Sequence, residues 1–305
     1  MNPLIRIIPA ALVRFFAKPY VAGDSLAKAM AVVTRLQRER GLLATLDLLA
    51  EDIRRPEQAE RNVETYLAMV DAAAGVPVDG RPTLSLKPSS YTTSPLHEGG
   101  DARGSREAMR RIVQRAADAG VETTIDMEGR HWTDFTLDAL ARFHADGLHN
   151  VGCVLQTRLH RTEQDLERLP AGMRVRLVIG IYQEPAEIAL VDKSEMKQRL
   201  LTFAERLLQR GHYVEFATHD VECVRRFVGE VVPRAGAAKD QFEVQMLYGV
   251  PRDRFLQGLL REGIRARLYV PFALGWDLAI EYLRRRLDEY PAMMWLVTKN
   301  MFWRS

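Results

Sequence analysis

The sequence predicts an α/β protein, a (β/α)8 TIM-like barrel with additional N-terminal helices, and three observations carry that prediction. Its 305 residues suit a single barrel, which takes roughly 250 residues before insertions. From about Ser25 onward, helical patterning alternates with short β-branched runs, so strands and helices are not segregated. Eight such runs can be counted, and no G-x-G-x-x-G follows any of them, which argues against an open doubly wound sheet.

Residues 1–40 form the extra helices of what reads as one domain over 1–305. The first of them is a basic amphipathic segment, in which Leu4, Ile5, Ile7, Ile8, Leu12, Val13, Phe15 and Phe16 are broken by Arg6, Pro9, Arg14 and Lys18. That interruption excludes a signal peptide and a membrane span. The segment is expected to dock on the body as a helix, with contact to a membrane surface as the competing reading. The strands are expected at Ala44–Leu49, Thr83–Lys87, Val121–Met127, Val151–Gln156, Val175–Ile179, Tyr213–Ala217, Phe242–Gln245 and Ala266–Val270. Helical patterning covers Leu26–Arg40, Gln58–Ala74, Ser105–Ala119, Phe135–Asp146, Glu195–Gln209, Val221–Val231 and Arg252–Glu262. Gly120, Gly211 and Gly263 fall just past three of these helices, where a left-handed cap is expected.

Composition narrows the function classes. Apolar residues make up 47% and charged residues 27%, an ordinary globular balance. The net charge of +3 is spread without a basic block, so no nucleic-acid partner is expected. Cys153 and Cys223 show neither disulfide nor zinc spacing, which fits a reducing, cytoplasmic compartment. The histidines lack H-E-x-x-H or any clustered ligand spacing, and no metal is expected.

Catalytic side chains of such a barrel sit at the C-terminal ends of its strands, and here those positions are polar. Lys87, Asp126, Gln156, Gln245 and Tyr269 close strands, Thr218, His219 and Asp220 follow one, and Arg176 and Tyr182 flank Leu-Val-Ile-Gly-Ile on the fifth. Lys87 and Asp126 come from adjacent strands and are placed to pair. Lys87 is one of only seven lysines among 43 basic residues, so a compact amine whose pKa can be moved is wanted there. Beyond the last strand, Tyr282, Arg285, Arg286 and Glu289 share a helical face. That spacing makes either a solvated surface or a carboxylate clamp, with glutamate steadying the guanidinium fork.

In order along the chain, the segments resemble the proline dehydrogenase family, flavin-dependent barrels that oxidise proline to pyrroline-5-carboxylate. The matching runs are Thr-Leu-Asp-Leu-Leu (45–49), Leu-Ser-Leu-Lys-Pro (84–88), Ile-Asp-Met-Glu (125–128) and Val-Gly-x-Val-Leu-Gln (151–156). They continue with Arg-Leu-Val-x-Gly-x-Tyr-x-Glu-Pro (176–185), Phe-Ala-Thr-His-Asp (216–220), Phe-Glu-Val-Gln-Met-Leu-Tyr-Gly (242–249), Tyr-Val-Pro (269–271) and Tyr-x-x-Arg-Arg-Leu-x-Glu (282–289). The resemblance implies FAD as cofactor, with Asp126 and Arg176 catalytic and Arg176 donating toward the flavin N5. It puts Lys87, Tyr182, Tyr269, Tyr282, Arg285, Arg286 and Glu289 around a small cyclic amino acid. Flavin contacts fall on Met127, Gln156, Arg176, Ile179, Gly180, Ile181, Thr218, His219, Gln245 and Leu247. A membrane quinone is the implied electron acceptor, which would place the protein peripherally at the inner face of the membrane.

The chain departs from the family pattern at Ile179 and Ile181, where the family has Lys-Gly-Ala. It departs again at Thr157-Arg158, at Phe272-Ala273, in a longer Tyr269 to Tyr282 spacer and at Tyr290. Two alternatives therefore accompany L-proline oxidation: a degenerate member that binds flavin or an amino acid with little turnover, and a cofactor-free barrel using Lys87 as a Schiff-base nucleophile, as an aldolase would.

Overall fold

Eight parallel strands close into a barrel in chain order, each bonded to the next and the eighth to the first. They are β1 (Leu43–Leu48), β2 (Thr83–Leu86), β3 (Thr123–Ile125), β4 (Val151–Gln156), β5 (Arg174–Val178), β6 (Tyr213–Ala217), β7 (Phe242–Leu247) and β8 (Ala266–Phe272). This computed structural model describes residues 9–280 except 52, together with 284. Around the barrel lie α1 (Ala10–Ala17), α2 (Leu26–Arg40), α3 (Pro56–Ala74), α4 (Ala102–Asp118), α5 (Thr133–Ala145), α6 (Thr162–Asp165), α7 (Lys193–Gln209), α8 (Val221–Arg226), α9 (Val232–Ala235) and α10 (Asp253–Arg261). No helix among the described residues is long and apolar enough to cross a membrane.

Local chemistry sets the helix ends. Ser25, Asp101, Asp192 and Asp220 accept from backbone N–H groups of the first turns of α2, α4, α7 and α8, which satisfies donors that a helix start leaves open. Gly120, Gly211 and Gly263 adopt the expected positive φ. The helix expected over Val221–Val231 is instead α8 followed by a π-turn at Phe227–Val231, where the Val232 N–H reaches back to Phe227 O. Pro233 has no N–H to continue the regular ladder, and Phe227 stacks on Phe216 with ring centroids 4.0 Å apart.

Alternate strand residues face opposite sides. Leu46, Leu84, Leu177, Phe216, Val244 and Val270 are all buried in the cluster that holds the strands against helix residues such as Val33, Val70, Ile112 and Leu200. Their neighbours in sequence take the opposite face, and most are polar, among them Thr45, Asp47, Ser85, Arg176, Glu215, Glu243, Gln245 and Tyr269. Polar residues therefore do more than close the strands: they line the interior over several layers, and the apolar core lies outside the sheet.

The N-terminal arm lies over the end of β8. Val13 is buried and the Arg14 guanidinium stands 4.6 Å from the centroid of the Trp276 ring. Beyond α1 the chain runs along β8, with Ala22 N donating to Pro271 O at 2.8 Å and Ala273 N to Gly23 O at 3.2 Å.

Candidate active site

Inside the barrel, β5 contributes Arg174 and Arg176, β7 Glu243 and Gln245, and β8 Arg267 and Tyr269, each pair two positions apart and so on one face. In the lower layer Arg267 forks onto Glu243 at 2.5 and 3.1 Å, and Arg174 onto Glu215 at 2.6 and 3.0 Å. The Tyr213 hydroxyl donates to Glu243 at 2.9 Å. Burial opposes the charge on Glu243, but Arg267 and Arg174 overcome it and hold the carboxyl down at about 2.

One layer higher, Arg176 Nε donates to Gln245 Oε1 at 2.8 Å and to Glu215 Oε2 at 3.1 Å. Its Nη1 donates to Asp126 Oδ1 at 2.9 Å and to Ser85 Oγ at 3.0 Å. Gln245 is held in turn, its Nε2 donating to Glu243 Oε1 at 2.6 Å. An unbroken ladder of charge-assisted bonds thus runs from the barrel floor to Asp126.

At the mouth Asp126 collects three donors and an ion pair. Besides Arg176 it accepts from Ser85 Oγ at 2.7 Å and from the Tyr269 hydroxyl at 2.7 Å, and Lys87 Nζ stands 3.1 Å away as an ion pair. Burial alone would raise Asp126, yet Lys87 and Arg176 keep it below the ordinary carboxylate value. Lys87 Nζ also donates to Tyr269 Oη at 3.0 Å and to Asp47 Oδ1, with Glu51 Oε1 at 3.9 Å. Burial pushes against its charge, but Asp47, Tyr269, Asp126 and Glu51 raise its pKa well above that of a free lysine. The amine is moved, as the sequence suggested, in the direction opposite to that a Schiff-base nucleophile needs. With several carboxylates around one ammonium, burial drives Asp47 up to about 7.

The other side of the mouth is made by the ends of β4, β5 and β6. Gln156 Nε2 donates to Glu128 O at 2.8 Å, whereas Gln156 Oε1, Arg176 Nη2 and His219 Nδ1 are buried with no hydrogen-bond partner among the described residues. Gly180 turns there with φ +106°, and a Cβ on it would lie 2.5 Å from Gln156 Oε1. Burial, then Arg252, lowers His219 to about 4, so its ring is neutral. Glu128, bonded to Ser89 N and Oγ at 2.9 and 2.6 Å, is pushed by burial up to about 7.

Of the sequence-predicted residues, Lys87, Asp126, Arg176, Gln245 and Tyr269 meet in one hydrogen-bonded network. Lys87 and Asp126 directly follow β2 and β3. Gln245 and Tyr269 lie inside β7 and β8, which extend to Leu247 and Phe272, rather than closing them. Met127 is buried, and Ile179, Gly180, Tyr182, Thr218 and Leu247 are half-buried. Ile181 is 51% exposed. Tyr282, Arg285, Arg286 and Glu289 lie outside the described residues. Asp47, Ser85, Glu215 and Glu243 are members of the network that strand-end reasoning missed; their signal was a polar residue at an inward position within a strand.

Comparisons with known proteins agree with this geometry. Residues 29–295 match the family model described as proline dehydrogenase. The chain is 34% identical over 290 residues to the proline dehydrogenase of Deinococcus radiodurans, covering 93% of this chain and 89% of that protein. It is 32% identical over 289 residues to proline dehydrogenase 1 of Bacillus subtilis, covering 94% and 91%. Its fold is similar to that of proline utilization A (PutA) from Bdellovibrio bacteriovorus inactivated by N-propargylglycine, with a TM-score of 0.79 at 22% identity over 95% of this chain. A PutA with proline bound in remote sites gives 0.72 at 21% identity over 94%. The chain spans 34% and 32% of those two longer proteins. With the barrel closed, its mouth lined by this polar network and the match running nearly end to end, the chain belongs to the proline dehydrogenase family.

Proposed function

We propose that this chain is an FAD-dependent proline dehydrogenase that oxidises L-proline or a close cyclic analogue to pyrroline-5-carboxylate. The observation that carries the reading is the convergence of Lys87, Asp126, Arg176 and Tyr269 at the C-terminal end of the barrel. The residues present fit a flavin. Gln156 Oε1, Arg176 Nη2 and His219 Nδ1 are buried polar atoms with unused hydrogen-bonding capacity among the described residues, a costly arrangement unless a ligand completes it. The glycine turn at 180 keeps that space free of a side chain.

Gln156, Arg176, Thr218 and His219 would hold the flavin, with Met127, Ile179, Gly180, Ile181, Gln245 and Leu247 against it. Bound there, FAD would accept the two electrons of the oxidised carbon–nitrogen bond. This chain's own groups would bind and orient the substrate. Lys87, kept cationic, attracts the substrate carboxylate, and Arg285 and Arg286, steadied by Glu289, would grip it bidentately. Tyr182, Tyr269 and Tyr282 would wall the ring, fixing its reacting carbon and so removing orientational freedom before the reaction. The substrate nitrogen must shed a proton before a hydride leaves the adjacent carbon. Burial and the charged field of the Lys87 and Asp126 pair would favour the neutral amine there.

Schiff-base catalysis by Lys87 is disfavoured, since its carboxylate shell stabilises the ammonium. A membrane quinone would take the electrons onward, with Leu12 and Phe15, both exposed on α1, as the contact of a cytoplasmic, single-domain protein with the inner face of the membrane. Purified protein should be yellow and bleach anaerobically on adding proline. Colourless protein that FAD cannot reconstitute refutes the proposal, and yellow protein that no cyclic amine bleaches makes it a non-catalytic member.

A further inference from the structure

The loop after β5 carries Ile181 and Tyr182, and it is stitched to the loop after β4 at several points. Arg158 N donates to Ile179 O at 3.1 Å, Leu190 N to Arg158 O at 2.8 Å and His160 N to Ile188 O at 2.9 Å. Leu159 and Ala189 form an antiparallel bridge. The side chain of Arg158 completes the seam from within. Its Nη1 donates to Tyr182 O at 2.8 Å and its Nη2 to Leu190 O at 3.4 Å, so one guanidinium spans both ends of the loop. The stem of Arg158 also underlies the turn, with Cδ 3.2 Å from where a Cβ on Gly180 would sit.

On its far side the same loop is tied to the segment after β3. Glu184 accepts from Arg130 N at 2.9 Å and from Arg130 Nη1 at 2.6 Å. That second tie is weaker on physical grounds, since the Arg130 side chain is 41% exposed and water competes for it. Arg158 is half-buried, and an arginine fork loses little freedom when it grips two carbonyls at once. A lysine could reach one carbonyl and not both.

We infer that Arg158 is a specificity-determining positioning residue: by bracing the 180–190 loop it sets where Tyr182 stands and hence the size of ring the site accepts. The inference deepens the proposed proline oxidation and rests on Tyr182 walling the substrate. It makes the loop a fixed wall instead of a lid. Removing the brace leaves the main-chain seam intact but frees the Tyr182 end of the loop, so the substrate ring is less well confined.

The test compares the wild type with Arg158→Met and Arg158→Lys by two readouts. The first is amide hydrogen exchange, which does not depend on activity. Arg158→Met should exchange at least tenfold faster over residues 180–190 than the wild type, with the barrel strands unchanged and Arg158→Lys in between. The second is steady-state oxidation of proline and of its six-membered homologue pipecolate. Arg158→Met should raise the KM for proline about tenfold with flavin content retained, and should narrow the preference for proline over pipecolate; Arg158→Lys should recover part of both. Unchanged exchange in the loop overturns the brace. Faster exchange with unchanged KM and ring preference overturns the link to specificity, as does a uniform fall in exchange protection, flavin content and activity. A wild-type protein that neither binds flavin nor oxidises proline refutes the functional reading instead, and the exchange data still decide the brace.

Discussion

Replacing Lys87 by methionine removes an ammonium from the centre of the site while keeping most of its aliphatic volume, and the response should depend on pH in a calculable way. Asp126 retains Arg176, Ser85 and Tyr269. Asp47, fully buried, loses its one hydrogen-bond donor among the described residues. In the intact protein burial raises Asp47 from 3.8 to about 7 even with Lys87 beside it. The folded state therefore holds a proton that the unfolded chain releases between those values. The resulting stability is complete below the unfolded value and is lost as pH rises through about 7. Without Lys87 the folded value moves higher still, so the variant keeps losing stability above neutrality, at about 1.4 kcal/mol per pH unit. The difference between the proteins should thus be about 2 to 3 kcal/mol larger at pH 9 than at pH 7, whereas between pH 6 and 7 it should change little. Urea unfolding followed by circular dichroism at these three pH values measures it. A deficit of the same size at all three would refute the reasoning, because Asp47 would then not be the group that Lys87 keeps ionised.

Gly180→Ala should destabilise by about 1 to 3 kcal/mol, because alanine must adopt a φ of +106° and displace Gln156 Oε1; flavin retained through gel filtration should fall with it, and wild-type melting with full flavin would show that the turn relaxes freely. Glu243→Gln leaves Arg267 facing a neutral group in the barrel floor, while Arg174 keeps Glu215, and should cost about 3 to 5 kcal/mol. Thermal unfolding reads that loss directly, and a change below about 1 kcal/mol would mean that the floor re-pairs without this carboxylate.

The barrel was legible because alternation of short strands with amphipathic helices has few other solutions. Val151–Gln156, Tyr213–Ala217 and Leu26–Arg40 lie where the patterning put them. Lys87 and Asp126 were legible as polar residues where an aliphatic run stops, and Arg176 through the run Arg-Leu-Val-x-Gly-x-Tyr-x-Glu-Pro that it opens. Asp47, Glu215 and Glu243 were not, because each sits within such a run, as in Leu46-Asp47-Leu48, and reads locally as an interruption. Its meaning depends on a partner far along the chain: Lys87 is 40 residues from Asp47, and Arg176 is 69 from Gln245. A carboxylate at an inward position of a buried strand must find a cation, and that rule announces a partner without naming it. The contribution of Arg158 was hidden differently, since its bonds go to main-chain carbonyls whose placement no side-chain pattern encodes.

The arm between Pro19 and Asp24 has a consequence for biogenesis. Gly249 at φ +84° passes so close to the Pro19 carbonyl that a Cβ there would overlap it, and Gly275 N donates to Asp24 O at 3.2 Å. Residues that precede the barrel in the chain are thus tied to its last strands, across a loop whose closure is entropically costly and slow. During synthesis β1 has only β2 to pair with until β8 emerges, leaving one of its edges open to other chains while the six strands between are made. Seating of the arm on β8 coincides with the sealing of that edge, so one late strand both closes the barrel and anchors the segment that precedes it.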